Sequence, residues 1–151
     1  MPIDARRQVE FISYLQRLLV EGDFVATYKF ALLHAIADIC IERPLILNAD
    51  PEQKTAISID ELVEKFIELY WQHSLPFGAV NAHFVLLQNN GKQSALINSL
   101  IELRNQGVNS LSQLKAHLSY PALFSKTRGT VKEGPLWRLQ ILSRNADCFL
   151  Y

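Results

Sequence analysis

At 151 residues, 49% apolar and 20% charged, the chain has the length of one domain and the composition of an ordinary globular protein, which excludes a disordered polyelectrolyte. Fifteen Lys/Arg balance fifteen Asp/Glu, and a net charge of zero excludes tight, purely electrostatic DNA binding by the chain as a whole. The balance hides a polarity suited to offering one side to a polyanion, since seven cations face twelve carboxylates up to Ala79 (net −5) and eight face three from Val80 onward (net +5).

The opening MPIDARRQVE carries charges without the apolar run of a signal peptide, so cytoplasmic residence is the default. A first helix is expected over 4–21, with Val9, Ile12, Leu15, Leu18 and Leu19 at helical spacing, Phe11 and Tyr14 widening the stripe and Gly22 as the stop. Residues 24–43 come next, and between Phe24 and Ile41 only Thr27, Lys29, His34 and Asp38 are polar. A helix apolar on nearly every side must be surrounded by other elements, so this stretch is read as the buried central helix. Lys29 and Asp38 speak against a membrane span, each costing roughly 2.5–3.5 kcal/mol near a bilayer centre. Asp23 is placed to cap the helix and Pro44 to end it. Residues 45–48 and 55–58, on either side of a polar turn, pair as a hairpin in one reading left open.

Ser58-Ile59-Asp60-Glu61 is a capping box, in which serine and glutamate satisfy each other's free backbone donors, and Ile57 with Leu62 fits the accompanying hydrophobic staple. Leu62, Val63, Phe66, Leu69 and Tyr70 form the inward face of that helix and Asp60, Glu61, Glu64, Lys65 and Glu68 the wet one, with the end within 71–74. After the break SLPFG, helices are expected at 79–88 and 93–105, separated by Asn89-Asn90-Gly91. Ser110 to Gln113 starts a short helix with a second capping box, stopped at Tyr120-Pro121. Beyond Pro121, KTRGTVKEGP reads as a basic, turn-forming stretch, LWRLQI alternates as a strand, and Asn145 to Asp147 turn into CFLY. An apolar ending of that kind is expected either tucked into a sheet or continued by further chain. The sum is a mainly α fold: one compact helical domain, 1–151, around a buried central helix at about 24–43, with a small β-hairpin near the C-terminus and a second at 45–58 as the open alternative.

Catalytic patterns fail on physical grounds. Asp50, Glu52 and Lys54 are the residue types of a metal-dependent nuclease, but that chemistry needs them rigid on a strand and they fall in a polar turn. Asn90-Gly91-Lys92-Gln93-Ser94 has Leu86 where a phosphate loop needs glycine and Gln93 where it needs a hydroxyl. His34, His73, His83 and His117 are scattered, as are Cys40 and Cys148; no zinc spacing results, and both cysteines are read as reduced packing residues. His34 and Asp38 stand one turn apart, for which a hydrogen-bonded structural histidine is the favoured reading over an acid–base pair. The chain as given is therefore expected to be no enzyme and to hold no metal or cofactor.

Two features point to nucleic acid. Residues 100–115, LIELRNQGVNSLSQLK, have the helix, Gly-Val-Asn turn and second helix of a helix-turn-helix, although Leu103 is large where the two helices must approach. Lys126, Arg128, Lys132, Arg138 and Arg144, opposed only by Glu133, form a basic cluster around Trp137. Phosphates take such cations and a tryptophan stacks on an unpaired base; the alternative is a solvated basic face with a core tryptophan.

TYKFALLHAIAD (27–38), ELVEKFIELYW (61–71), QNNGKQSALIN (88–98), PLWRLQ (135–140) and the terminal FLY, in this order and over nearly the whole chain, resemble the amino-terminal region of a family of bacterial HNH endonucleases. In that family a further helical region follows, and then an HNH nuclease module with metal-binding histidines, an aspartate and Cys-x-x-Cys pairs. The present sequence supplies neither set of ligands, so the resemblance implies a non-catalytic module. It also implies a partner, double-stranded DNA, modified or unmodified, and a nuclease module in cis or trans, within restriction-like defence. PLWRLQ is similar, too, to part of the sulfur-binding domains that precede HNH modules in some modification-dependent enzymes, a likeness that transfers no binding residues. The expected function is DNA recognition or regulation, with Lys126, Arg128, Lys132, Arg138 and Arg144 on phosphate and Trp137 or Gln140 nearer the bases. The competing expectation is a protein-interaction module without DNA contact, in which the acidic half of one copy meets the basic half of another in a homodimer.

Overall fold

The computed structural model describes residues 5–21, 27–43, 56–76, 95–138, 141–142 and 145–146, and these are mainly helical. In order they form α1 (Ala5–Glu21), α2 (Tyr28–Glu42), α3 (Ile59–His73), α4 (Ala95–Asn105), α5 (Leu111–Ala116), α6 (Tyr120–Glu133), the single turn α7 (Pro135–Arg138), β1 (Ile141–Leu142) and β2 (Asn145–Ala146). Among them no helix is long and apolar enough to cross a membrane. The expected helix at 79–88 and all but the last three residues of the expected 45–58 hairpin lie outside the described residues.

The centre is α3. Its first turn is fixed locally by the reciprocal capping box: the Glu61 N–H donates to Ser58 Oγ at 3.2 Å and the Ser58 N–H donates to Glu61 Oε2 at 2.7 Å. Leu62, Val63, Phe66, Ile67, Tyr70 and Trp71 then recur on one side and are all buried, packing α3 against α2, α4 and α6. Removing each such side chain from water contributes about 1.5–3 kcal/mol. Tyr28 of α2 meets this face through the Phe66 and Tyr70 rings, with centroids 6.3 and 5.8 Å away, and Thr27 shares a 2.9 Å hydrogen bond with the Tyr70 hydroxyl.

The sequence assigned the central place to α2, and this is corrected. Ala31, Leu32, Ala35 and Ile39 are buried toward α3, but on the opposite side Phe30 is 52% and Ile41 81% exposed, with Ala37 and Cys40 beside them. The small alanines of α2 let α3 come close, and the bulk that fills the centre comes from α3. Lys29, at the start of α2, is buried and lies 4.9 Å from the Phe30 ring centroid.

Two ends are closed by specific contacts. At the C-terminus of α3, Arg104 from α4 donates through Nη2 to the Trp71 carbonyl at 2.6 Å and through Nε to Ser74 Oγ at 2.7 Å. Its guanidinium lies 3.4 Å from the centroid of the Trp71 ring. Burial lowers the Arg104 pKa, from a starting point high enough that the group stays charged. At the end of α4, Gly107 takes φ +95°, while its N–H donates to the Arg104 carbonyl and that of Val108 to Leu103, a left-handed termination that favours glycine.

Past Pro121 the sequence expectation is overturned. Tyr120-Pro121 starts α6 rather than stopping α5, because a proline in the first helical turn lacks only an N–H that would have no partner there. KTRGTVKEGP is helical through Glu133: Leu123, Thr127 and Val131 are buried at spacings of four, and the Thr127 hydroxyl donates back to the Leu123 carbonyl at 2.8 Å. The expected strand LWRLQI begins instead as the helical turn α7. A hairpin of the expected extent is not supported; β1 and β2 pair antiparallel through Ile141 with Ala146 and Leu142 with Asn145, two residues on each side.

Candidate nucleic-acid interface

The cations singled out in the sequence sit on α6 and beyond. Lys126, Arg128 and Lys132 are exposed on α6, Trp137 and Arg138 fall in α7, and Gln140 and Arg144 lie outside the described residues. Helical geometry divides the first three. Arg128 and Lys132, one turn apart, share a side of α6, whereas Lys126 projects from another. There it lines an open groove of about 260 Å³ between α4 and α6, together with Ser99, Glu102, Gln106 and Ser119. The three lysine and arginine positions of α6 therefore do not form one face.

Their electrostatic surroundings differ as well, and the difference originates in α3. The outward side of α3 collects cations from its neighbours. Arg43, at the end of α2, donates to Glu61 Oε1 at 2.6 Å; Lys115 of α5 reaches Glu68 at 3.0 Å and Glu64 at 3.2 Å; Arg128 Nε of α6 reaches Asp60 Oδ1 at 2.8 Å. Lys65 of α3 pairs with Glu42 of α2 and also lies 3.8 Å from Glu68. The hydrogen bond to Glu68, with a smaller one to Glu64, raises the Lys115 pKa, and that to Glu42 raises the Lys65 pKa. Glu61 is held down to about 2 by the Ser58 backbone N–H first, then by the Arg43 guanidinium and the Ser58 hydroxyl. Lys126 and Lys132, by contrast, form no ion pair among the described residues.

Part of the sequence polarity thus closes on itself, as Asp60, Glu64 and Glu68 of the acidic half bind Arg128 and Lys115 of the basic half. Sequence reading missed this because the partners are far apart along the chain and only the fold brings them together. The helix-turn-helix outline is present as α4, the Gly107 turn and α5, but α5 has six residues and its one cation, Lys115, is engaged by α3. That geometry does not suit a helix entering the major groove. His34 Nδ1 and Asp38 Oδ2 lie 3.3 Å apart as the spacing suggested, on the solvent side of α2. The Asp50–Lys54 and Asn90–Ser94 stretches lie outside the described residues, and among those described no three His, Cys, Asp or Glu side chains gather closely enough to hold a metal ion.

A family model described as a domain of unknown function, DUF8808, matches residues 8–144. The chain belongs to this family. The DUF8808 match runs from the first turns of α1 through the last cation of the basic cluster, so α3, its ion pairs and all of α6 fall inside the family unit. Neither a curated protein nor a solved structure matches the chain.

Proposed function

We propose that the chain is a non-catalytic DNA-engaging or regulatory module of an HNH-type endonuclease, with the cutting chemistry in a separate module in cis or trans. The observation that carries this reading is the contrast between the cations around α3 and those of α6: Arg43, Lys65, Lys115 and Arg128 each have a carboxylate partner, whereas Lys126 and Lys132 on α6 have none among the described residues. A lysine left exposed and without a carboxylate partner can neutralise a phosphate without first breaking an internal pair. Lys132 and Arg128 on one side of α6, with Arg138, are assigned to the phosphates, and Trp137 or Gln140 to the bases. The resemblance of five sequence segments to the amino-terminal region of HNH endonucleases is what suggests a nuclease of that class as the partner module.

The test is fluorescence anisotropy of a labelled duplex against salt. Lys132→Glu is expected to weaken binding to every sequence alike and to lower the slope of log affinity against log salt by about one, and Arg138→Glu with Arg144→Glu to abolish binding. Unchanged affinity in these variants removes the reading. A second reading, a protein-interaction module, is favoured by the exposed stripe Phe30, Ala37, Cys40 and Ile41 on the outer side of α2. Light scattering at low and high salt separates the two: an apolar association through α2 survives salt, and DNA affinity is then absent. The charge-matched dimer is weakened as a version of that reading, because the acidic side of α3 already holds cations of its own chain.

A further inference from the structure

We propose that Asp60 stands in for a DNA phosphate, holding Arg128 against α3 until a duplex displaces it, so that the affinity of the α6 surface is set by an internal competition. The inference rests on the DNA-binding reading given above. Asp60 Oδ1 lies 2.8 Å from Arg128 Nε, and both side chains remain open to solvent, 58% and 48% exposed. An exposed pair of this kind is weak and screened by salt, so an arriving phosphate can exchange with the carboxylate without unfolding anything. Burial would have made the same pair a fixed part of the core.

The position of Asp60 explains why a carboxylate is stable there without Arg128. It lies in the first turn of α3, where the unpaired N–H groups and the helix dipole favour negative charge. Its neighbour Glu61 is separately satisfied by Arg43 and the capping box, and so does not compete for Arg128. On the α6 side, Arg128 shares its side of the helix with Lys132, which has no ion pair among the described residues. Lys132 is therefore the first contact, and Arg128 joins once its carboxylate is exchanged for phosphate. While Asp60 is present, engaging Arg128 leaves a carboxylate beside the phosphate that takes up a counterion, so Arg128 adds little to counterion release.

Asp60→Asn has a signature that a merely structural carboxylate does not produce: tighter DNA binding together with a lower melting temperature. In the full chain, anisotropy titration with a labelled mixed-sequence duplex is expected to show affinity rising about twofold to fivefold at low salt. The slope of log affinity against log salt steepens by about one, and Tm falls by a few degrees as α3 loses its N-terminal charge. Asp60→Ser serves as a second variant, since serine is also tolerated in a first helical turn. In an Arg128→Gln background the gain from Asp60→Asn disappears. If Asp60→Asn leaves affinity unchanged, or tightens binding as much without Arg128 as with it, the competition is overturned while DNA binding stands. If the unsubstituted chain and all variants fail to bind the duplex, the competition and the parent reading fall together; if the unsubstituted chain binds and Lys132→Glu weakens it while Asp60→Asn changes nothing, only the competition falls.

Discussion

Arg104 is the side chain whose removal separates packing from polar closure most cleanly. Replacing it by methionine keeps much of the aliphatic stem over the Trp71 ring and removes three contacts: the 2.6 Å bond to the Trp71 carbonyl, the 2.7 Å bond to Ser74 Oγ and the guanidinium stack at 3.4 Å. Hydrogen bonds from a charged donor contribute about 1.5–3 kcal/mol, and a cation–π stack about 0.5–2 kcal/mol depending on exposure. The Trp71 carbonyl keeps a second donor, the Ser74 hydroxyl at 2.7 Å, so it is not orphaned. The guanidinium is also only partly buried. Both facts bring the loss below the sum of those ranges, to about 2 kcal/mol. For a chain of this size that corresponds to a fall in Tm of about 4–8 °C. Urea denaturation followed by far-UV circular dichroism should show the midpoint falling with the m-value unchanged. Arg104→Lys, which keeps the charge but not the planar two-direction donor, is expected to recover less than half of the loss. A methionine variant within about 0.5 kcal/mol of the parent, or a lysine variant equal to it, would refute this account of how α3 ends.

Acid sensitivity follows from Glu61. Its carboxyl is held down to about 2 in the folded chain, below the ordinary 4.5, so its contribution is present above the ordinary value and is lost as pH falls from there toward 2. Glu61→Gln should flatten the fall in Tm over that window, and a parallel acid limb in both proteins would count against the capping box as its cause. Gly107→Ala is expected to cost about 1 kcal/mol: φ is +95° and an added Cβ meets nothing within 4 Å, so backbone strain is the whole effect. A stabilised alanine variant in thermal melts would contradict that. Phe66→Ala in the centre should cost about 3–5 kcal/mol, whereas Val20→Ala on α1, where the valine is 84% exposed, should stay within about 0.5 kcal/mol. Equal losses in chemical denaturation would mean that α3 is not the centre.

What could be read from the sequence was what is decided locally. The capping box at Ser58 and Glu61, the inward face of α3 and the start of α5 at Ser110 all depend on residues three or four apart, and all are present. At α5 the reciprocal bond comes from the Asn109 N–H to Gln113 Oε1 rather than from the Ser110 N–H, a shift of one residue that spacing alone does not resolve. The role of α2 was misread because an apolar residue counts the same whether it meets a neighbour or solvent, and Phe30 and Ile41 meet solvent. Gly129 and Pro121, turn-formers elsewhere, are both compatible with α6. Gly129 sits in a helix interior and Pro121 in the first turn, while the signal that decided the matter, Leu123, Thr127 and Val131 at spacings of four, was already in the sequence. The pairing of Asp60 with Arg128 had no local trace at all, and it changes which members of the basic cluster are free to act.

The lock between α2 and α3 has a consequence for comparing relatives. Tyr28, Phe66 and Tyr70 fall inside the family match, with Phe66 and Tyr70 fully buried and Tyr28 packed against them. A descendant can exchange the outward residues of α6 one by one and keep that interior intact. Interior and outward surface can thus vary separately, and comparisons within the family should score positions 60, 128 and 132 apart from positions 28, 66 and 70.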